Sequence, residues 1–259
     1  MTCFMPLIGA LGVEATVYGL QPRGLDGMMV PHSSVEAAAA GFIAAIKAIC
    51  PRGPYRLLGH SFGGWVVFEM ACQLLAAGEV VEPIVLLDSQ PPSARGPLQR
   101  KFRRLSALMK LIGILEEACG QSLSLDRREL EMLDPDAQEA RLMQSMKSVG
   151  LLPRAGQLQT VRGMLRVFVA NLNTAYVPMQ VLPGRALLLL AGESSADDDD
   201  EDPDMEDDQI IARDNWHAAW RDHVALLDSL AVPGNHMTLL HKPNVDSVAG
   251  HLWKLWNGR

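Results

Sequence analysis

Apolar residues follow two rhythms along the chain. Val35, Ala38, Phe42, Ile43, Ile46 and Ile49 recur at the three- and four-residue spacing of one helix face. Ser33 or Ser34 can cap that helix, Glu36 lies in its first turn, and Pro51-Arg-Gly-Pro54 stops it beyond Cys50. Tyr55 to Leu58 then reads as a strand, and a second helix from about Phe62 to Ala77 closes at Gly78. Pro83-Ile-Val-Leu-Leu87 is a continuous apolar run of the kind buried parallel strands show. Further strands are expected at Ala15 to Tyr18, Arg185 to Ala191 and Leu230 to Val232. A helix carries Trp216 and Trp220, and an amphipathic helix from Val245 to Trp256 ends the pattern. Between Ser93 and Met179 the strand rhythm gives way to helix spacing, over Leu105 to Cys119, Asp126 to Ser148 and Gln157 to Ala175.

This alternation predicts an α/β fold: a mostly parallel sheet with helices on both faces, interrupted by a helical insertion at about 93–180. Such an insertion is most simply a lid over the sheet's carboxyl edge, where open α/β sheets bind ligands. Its apolar residues Leu105, Leu108, Met109 and Ile112 are expected to face a pocket. The length, 259 residues with 48% hydrophobic, suits one large domain over 1–259 and excludes disorder of the whole chain. No apolar run reaches the roughly 18 residues of a membrane span, and Met1-Thr-Cys-Phe-Met5 does not read as a secretory signal. No membrane partner is expected.

Cys3, Cys50, Cys72 and Cys119 are scattered, with no CxxC, so neither a disulfide framework nor a zinc site is indicated. A reduced, cytoplasmic setting is the expectation. The net charge of −7 comes from one place: ten of the twelve residues 197–208 are acidic. Without them the chain has 23 basic and 20 acidic residues, a mildly basic body bearing an acidic loop. That loop reads as a solvated segment, and no basic stripe suggests nucleic acid.

The sharpest chemistry lies in Gly59-His-Ser-Phe-Gly63, between an apolar strand and a helix. A serine on so tight a turn is lifted clear of the sheet, and glycine is expected on both sides because side chains there would collide. Ser61 is the candidate nucleophile. The backbone N–H of Phe62, at the helix N-terminus, is the candidate oxyanion donor. A serine needs a base. Of seven histidines, His60 sits inside the turn with its ring expected to point away, and His32, His217, His223, His241 and His251 lie on or beside helices. His236 follows the last strand in Pro-Gly-Asn-His, late in the chain, which fits the order serine, acid, histidine of α/β-hydrolases. The acid is Asp88, ending the strand after the nucleophile helix, or alternatively Glu193 or Asp197 after the next strand. An acid within a polyanionic loop would hold an imidazole poorly, so Asp88 is favoured.

Tyr18-Gly-Leu-Gln21, Gly59-His-Ser-Phe-Gly-Gly64, Leu86-Leu-Asp-Ser89 and Pro233-Gly-Asn-His236 with Leu239-Leu240 resemble the thioesterase domain that ends nonribosomal peptide synthetases and some polyketide synthases. The resemblance runs from about Cys3 to the end and is weakest across the insertion. It implies an α/β-hydrolase fold with a variable lid, and an acid at Asp88. It implies release of an acyl or peptidyl chain, by hydrolysis or macrocyclisation, through a seryl ester on Ser61, with His236 moving the proton. No cofactor would be bound; the substrate would arrive on the phosphopantetheine of a carrier-protein domain, which Arg103 and Arg104 are candidates to contact. The family's first strand and His-Pro-Gly-Gly-like oxyanion loop precede the segment that matches Cys3 to Leu7, so both are expected to be missing here. Other functions in view are a stand-alone editing thioesterase, a small-ester hydrolase, and a catalytically impaired docking module.

Overall fold

Four parallel strands, in the order β1-β2-β3-β4, organise the chain. The computed structural model describes residues 4–12, 16–92, 102–194 and 211–258. The strands are β1 (Leu58–His60), β2 (Ile84–Leu87), β3 (Leu182–Ala191) and β4 (Val224–Val232). Their side chains alternate between two apolar layers. Ile84, Leu86, Ala186 and Leu188 pack with α2 (Val35–Ile49) and α3 (Phe62–Ala76). Val85, Leu87, Leu187 and Leu189 pack on the other face with Leu7 of α1 (Met5–Leu11) and with Val245, Val248 and Leu252 of α9 (Val245–Asn257). All four residues of β2 are buried, as its unbroken apolar run predicts.

Local signals explain most boundaries. Ser34 caps α2 by accepting the Ala37 N–H at 3.2 Å. The expected helix from Asp126 to Ser148 is two helices, α5 (Arg127–Glu131) and α6 (Pro135–Ser148). Asp134 caps the second by accepting the Ala137 N–H at 2.8 Å, with Pro135 opening it. The strand expected over Ala15 to Tyr18 is absent among its described residues: Thr16, Val17 and Tyr18 are exposed and outside any sheet. β-Branched residues favour a strand only where a neighbour covers them.

The insertion holds α4 (Arg104–Cys119), α5, α6 and α7 (Leu158–Leu172) around an apolar core of their own. Leu105, Leu108, Met109 and Ile112 pack in that core, and none of them lines the cavity that adjoins Ser61, which corrects the expectation for them. Arg104 is engaged with Gln138 and Glu139, each at 2.6 Å, so its guanidinium is held within the insertion. The acidic residues 197–208, Asp197 among them, lie outside the described residues. A 3-10 turn (Arg213–Asn215) and α8 (Trp216–Arg221) then lead into β4. No helix among the described residues is long and apolar enough to cross a membrane.

Candidate active site

Ser61 and Asp88 leave neighbouring strands at the same level. The register pairs His60 with Leu87, the residues just before them, and the Ser61 N–H donates to the Leu87 carbonyl at 2.9 Å. Three non-glycine residues among those described have positive φ, and two of them are Ser61 (54°) and Asp88 (41°). Strain of this kind persists only where the surroundings impose it, and it concentrates at functional positions. A Cβ at residue 59 would overlap the backbone carbonyl of Gly63, and one at residue 64 would overlap the Ser89 side chain. Glycine at 59 and 64 therefore lets α3 start tight against β1 and β2. Gly63 is different: a Cβ there meets open space, so the expected collision on that side of Ser61 is absent. Phe62 is the first residue of α3, so its N–H is among those a helix leaves without an internal partner.

Asp88 is 1% exposed, and three donors reach its carboxylate. Nδ1 of His236 lies 2.6 Å from Oδ2, the Ala191 N–H donates to Oδ1 at 2.9 Å, and Arg213 also bonds to Oδ1. Burial alone would raise the carboxyl pKa. The hydrogen bonds from His236, Ala191 and Arg213 outweigh it and bring the pKa from 3.8 down to about 2. The group is thus a carboxylate at neutral pH, so Nδ1 of His236 is the donor in the bond between them. The loop after Asp88 is pinned from two sides: Trp220 donates to the Ser89 carbonyl at 2.8 Å and Trp65 to the Gln90 carbonyl at 2.6 Å.

The loop carrying His236 has its own supports. Asn235 Oδ1 accepts from the N–H groups of Met237 and Thr238, at 3.1 and 2.9 Å. Gly234 holds φ at +88°, and a Cβ there would overlap the Asn244 side chain. The ring of His60, expected to point away, instead lies 4.6 Å from the His236 ring and donates from Nε2 to the His236 carbonyl at 3.0 Å. Burial, then the neighbouring His236, push the His60 pKa down to about 4, so it is neutral at pH 7. Because Ser61 follows His60 directly, residues 60, 61, 88 and 236 share one corner of the molecule.

Glu193, the alternative acid, is exposed; it accepts the Gly234 N–H at 3.2 Å and so props the histidine loop. Among the described residues, His32, His217, His223, His241 and His251 touch neither Asp88 nor His236. Arg213 is the member of the cluster that sequence reasoning missed; nothing in its neighbourhood in the chain marks it out. Among the described residues no group of three or more His, Cys, Asp or Glu is placed to hold a metal ion.

A cavity of about 1750 Å³ opens beside Ser61. Phe62 and Trp65 of α3, Phe102 and Lys110 at the insertion's first helix, and Phe168 and Leu172 of α7 contribute to its wall. The insertion therefore combines a core of its own with residues that border the cavity.

Parallel strands flanked by helices on both faces, a strained serine at a strand-to-helix corner, and an ionised aspartate bonded to a histidine from the last loop define an α/β-hydrolase fold. Comparison with known proteins narrows the class. The chain belongs to the thioesterase domain family, whose model matches residues 1–255. It is 24% identical over 249 residues to chondramide synthase of Chondromyces crocatus, covering 94% of this chain and 6% of that protein. It is 39% identical over 89 residues to indigoidine synthase of Streptomyces lavendulae, covering 34% of this chain and 7% of that protein. The chain thus spans a small fraction of these much longer relatives. Among solved structures it resembles a four-domain nonribosomal peptide synthetase (TM-score 0.79, 23% identity, 99% of this chain and 18% of the other). It also resembles the Vlm2 thioesterase domain (0.66, 20%, 97% and 88%). A third likeness is the NocB thioesterase domain, solved as a covalent complex with a fluorophosphonate nocardicin G analog (0.62, 20%, 99% and 89%).

Proposed function

We propose that this chain is a thioesterase that releases an acyl or peptidyl chain from a phosphopantetheine thioester on a carrier domain, through an ester on Ser61. The observation that carries this reading is the Asp88–His236 hydrogen bond at 2.6 Å beside the strained Ser61 corner. Nε2 of His236 takes the proton of Ser61 as Oγ attacks the thioester carbonyl. The Phe62 N–H, with the partial positive charge of the α3 N-terminus, stabilises the oxyanion. The C–S bond then breaks, and the proton held by His236 goes to the departing thiol. Water, or a hydroxyl or amine of the chain itself, next attacks the Ser61 ester and gives up its proton to His236. Ser61 leaves as the free hydroxyl and the product departs as an acid or a ring.

The mostly apolar side chains beside Ser61, among them Phe62, Trp65, Phe168 and Leu172, support a mostly apolar chain as substrate. The segment from Arg104 to Leu172 acts as the lid over it, within one domain. A docking module without chemistry would gain nothing from two strained residues and a buried carboxylate with three donors. The test is to supply synthetic acyl and peptidyl thioesters and identify products by mass. Release of acid or ring that stops in Ser61→Ala supports the reading. Equal turnover by Ser61→Ala sinks it.

A further inference from the structure

We propose that Arg213 is a positioning residue that holds the Asp88–His236 pair in its reactive form, carboxylate ionised and imidazole neutral. The inference rests on the catalytic reading above and goes beyond it. Arg213 opens the 3-10 turn before α8 and reaches back to Oδ1 of Asp88, the oxygen that also accepts the Ala191 N–H. Its guanidinium stacks over the Trp216 ring, 5.3 Å from the centroid, and Trp216 is itself anchored by donating to the Ile211 carbonyl at 2.8 Å. The arginine is thus held from both sides, with its side chain 27% exposed against 1% for Asp88.

The charge balance gives the arrangement its effect on protonation. With a neutral imidazole, the carboxylate and the guanidinium cancel. Protonating His236 then leaves a net positive charge around the buried Asp88, with the histidine and the arginine each only 27% exposed. Without Arg213, the same proton would neutralise a lone carboxylate and be welcomed. Among the described residues, the other side chains bonded to this loop do not replace that cation. His60 is neutral at the end of β1. Glu193, after β3, takes the Gly234 N–H, and Glu117 of α4 accepts from the Asn235 side chain at 2.6 Å, and neither carboxyl group can carry a positive charge. Arg213 therefore keeps His236 available as a base to lower pH than the dyad alone would allow, and fixes which carboxylate oxygen faces the histidine.

The experiment measures the rate at which an alkyl fluorophosphonate modifies Ser61 from about pH 5 to about pH 9, in the full chain as wild type, Arg213→Gln and Arg213→Lys. Thermal unfolding by circular dichroism checks that each is folded. The wild-type rate should rise with pH as the imidazole loses its proton. In Arg213→Gln the midpoint should move up by about half to one pH unit. In Arg213→Lys, which keeps the charge, it should stay within a few tenths of a unit of wild type. Should Arg213→Gln not fold, Trp216→Leu frees the guanidinium from its stack and should move the midpoint in the same direction. A midpoint unmoved in Arg213→Gln overturns the inference alone, as does an equal move in Arg213→Lys, which would mean shape and not charge matters. If wild type takes no label at Ser61, the catalytic reading falls and this inference with it.

Discussion

Asp88→Asn changes one atom and removes one charge, and the hydrogen bonds around residue 88 dictate the outcome. Two carboxylate oxygens now serve three donors: His236 on Oδ2, and Ala191 with Arg213 on Oδ1. Asparagine offers one oxygen. A backbone N–H and a guanidinium can only donate, so the oxygen stays with them and the NH2 turns toward His236. Nδ1 must then accept, which moves the imidazole proton to Nε2, where a base for Ser61 needs its lone pair. The reversed amide would face two donors, one of them charged, with an NH2 group, and costs more. A wrong tautomer in such a relay lowers the rate about 10⁴-fold, near 5.5 kcal/mol of barrier. Fluorophosphonate labelling and thioester turnover should both fall by that order. Glu193→Gln is the companion: its carboxylate is exposed and holds only a backbone N–H at 3.2 Å, so a change within about threefold is expected. Asp88→Asn within tenfold of wild type, or Glu193→Gln abolishing turnover, would refute the assignment of the acid.

Gly59→Ala should destabilise the fold by about 1–3 kcal/mol in denaturant unfolding, because its Cβ meets the backbone of Gly63. Gly63→Ala, which meets open space inside a helix, should instead be neutral or stabilise by up to about 1 kcal/mol. Trp220→Phe strips the buried Ser89 carbonyl of its donor and should cost about 1–3 kcal/mol by the same measurement. The Asp88 carboxyl, at 3.8 ordinarily and about 2 when folded, contributes stability that is present above its unfolded value and lost as pH falls through the folded one. Acid titration of stability should show a loss of about 2 kcal/mol between roughly pH 4 and pH 2 that Asp88→Asn lacks.

Much of the site could be read from the chain because strand ends deliver residues to one edge. The turn around Ser61 is local, so its glycines and flanking periodicity announce it. Asp88 outranks the alternatives after the next strand because it ends a strand at the sheet edge while they adjoin a polyanionic loop, and it is Asp88 that bonds to His236. What escaped has physical causes. Arg213 acts through space, and no local pattern records a contact made 125 positions away in the chain. His60 belongs to a motif whose backbone role draws attention from its ring. The helix at Met5–Leu11 is too short for a periodic signal, and β4 extends well before Leu230 because an exposed edge strand lacks a buried run. Asp134 and Pro135 form a cap followed by a first-turn proline, but apolar spacing across them masks the stop.

Peptide mapping by mass after brief exposure to an alkyl fluorophosphonate tests the central claim most directly. The adduct should appear on the peptide containing Ser61, form more slowly by orders of magnitude in His236→Ala, and be absent from Ser61→Ala. An adduct that settles on another residue, or that forms on Ser61 as fast without His236 as with it, would contradict the account.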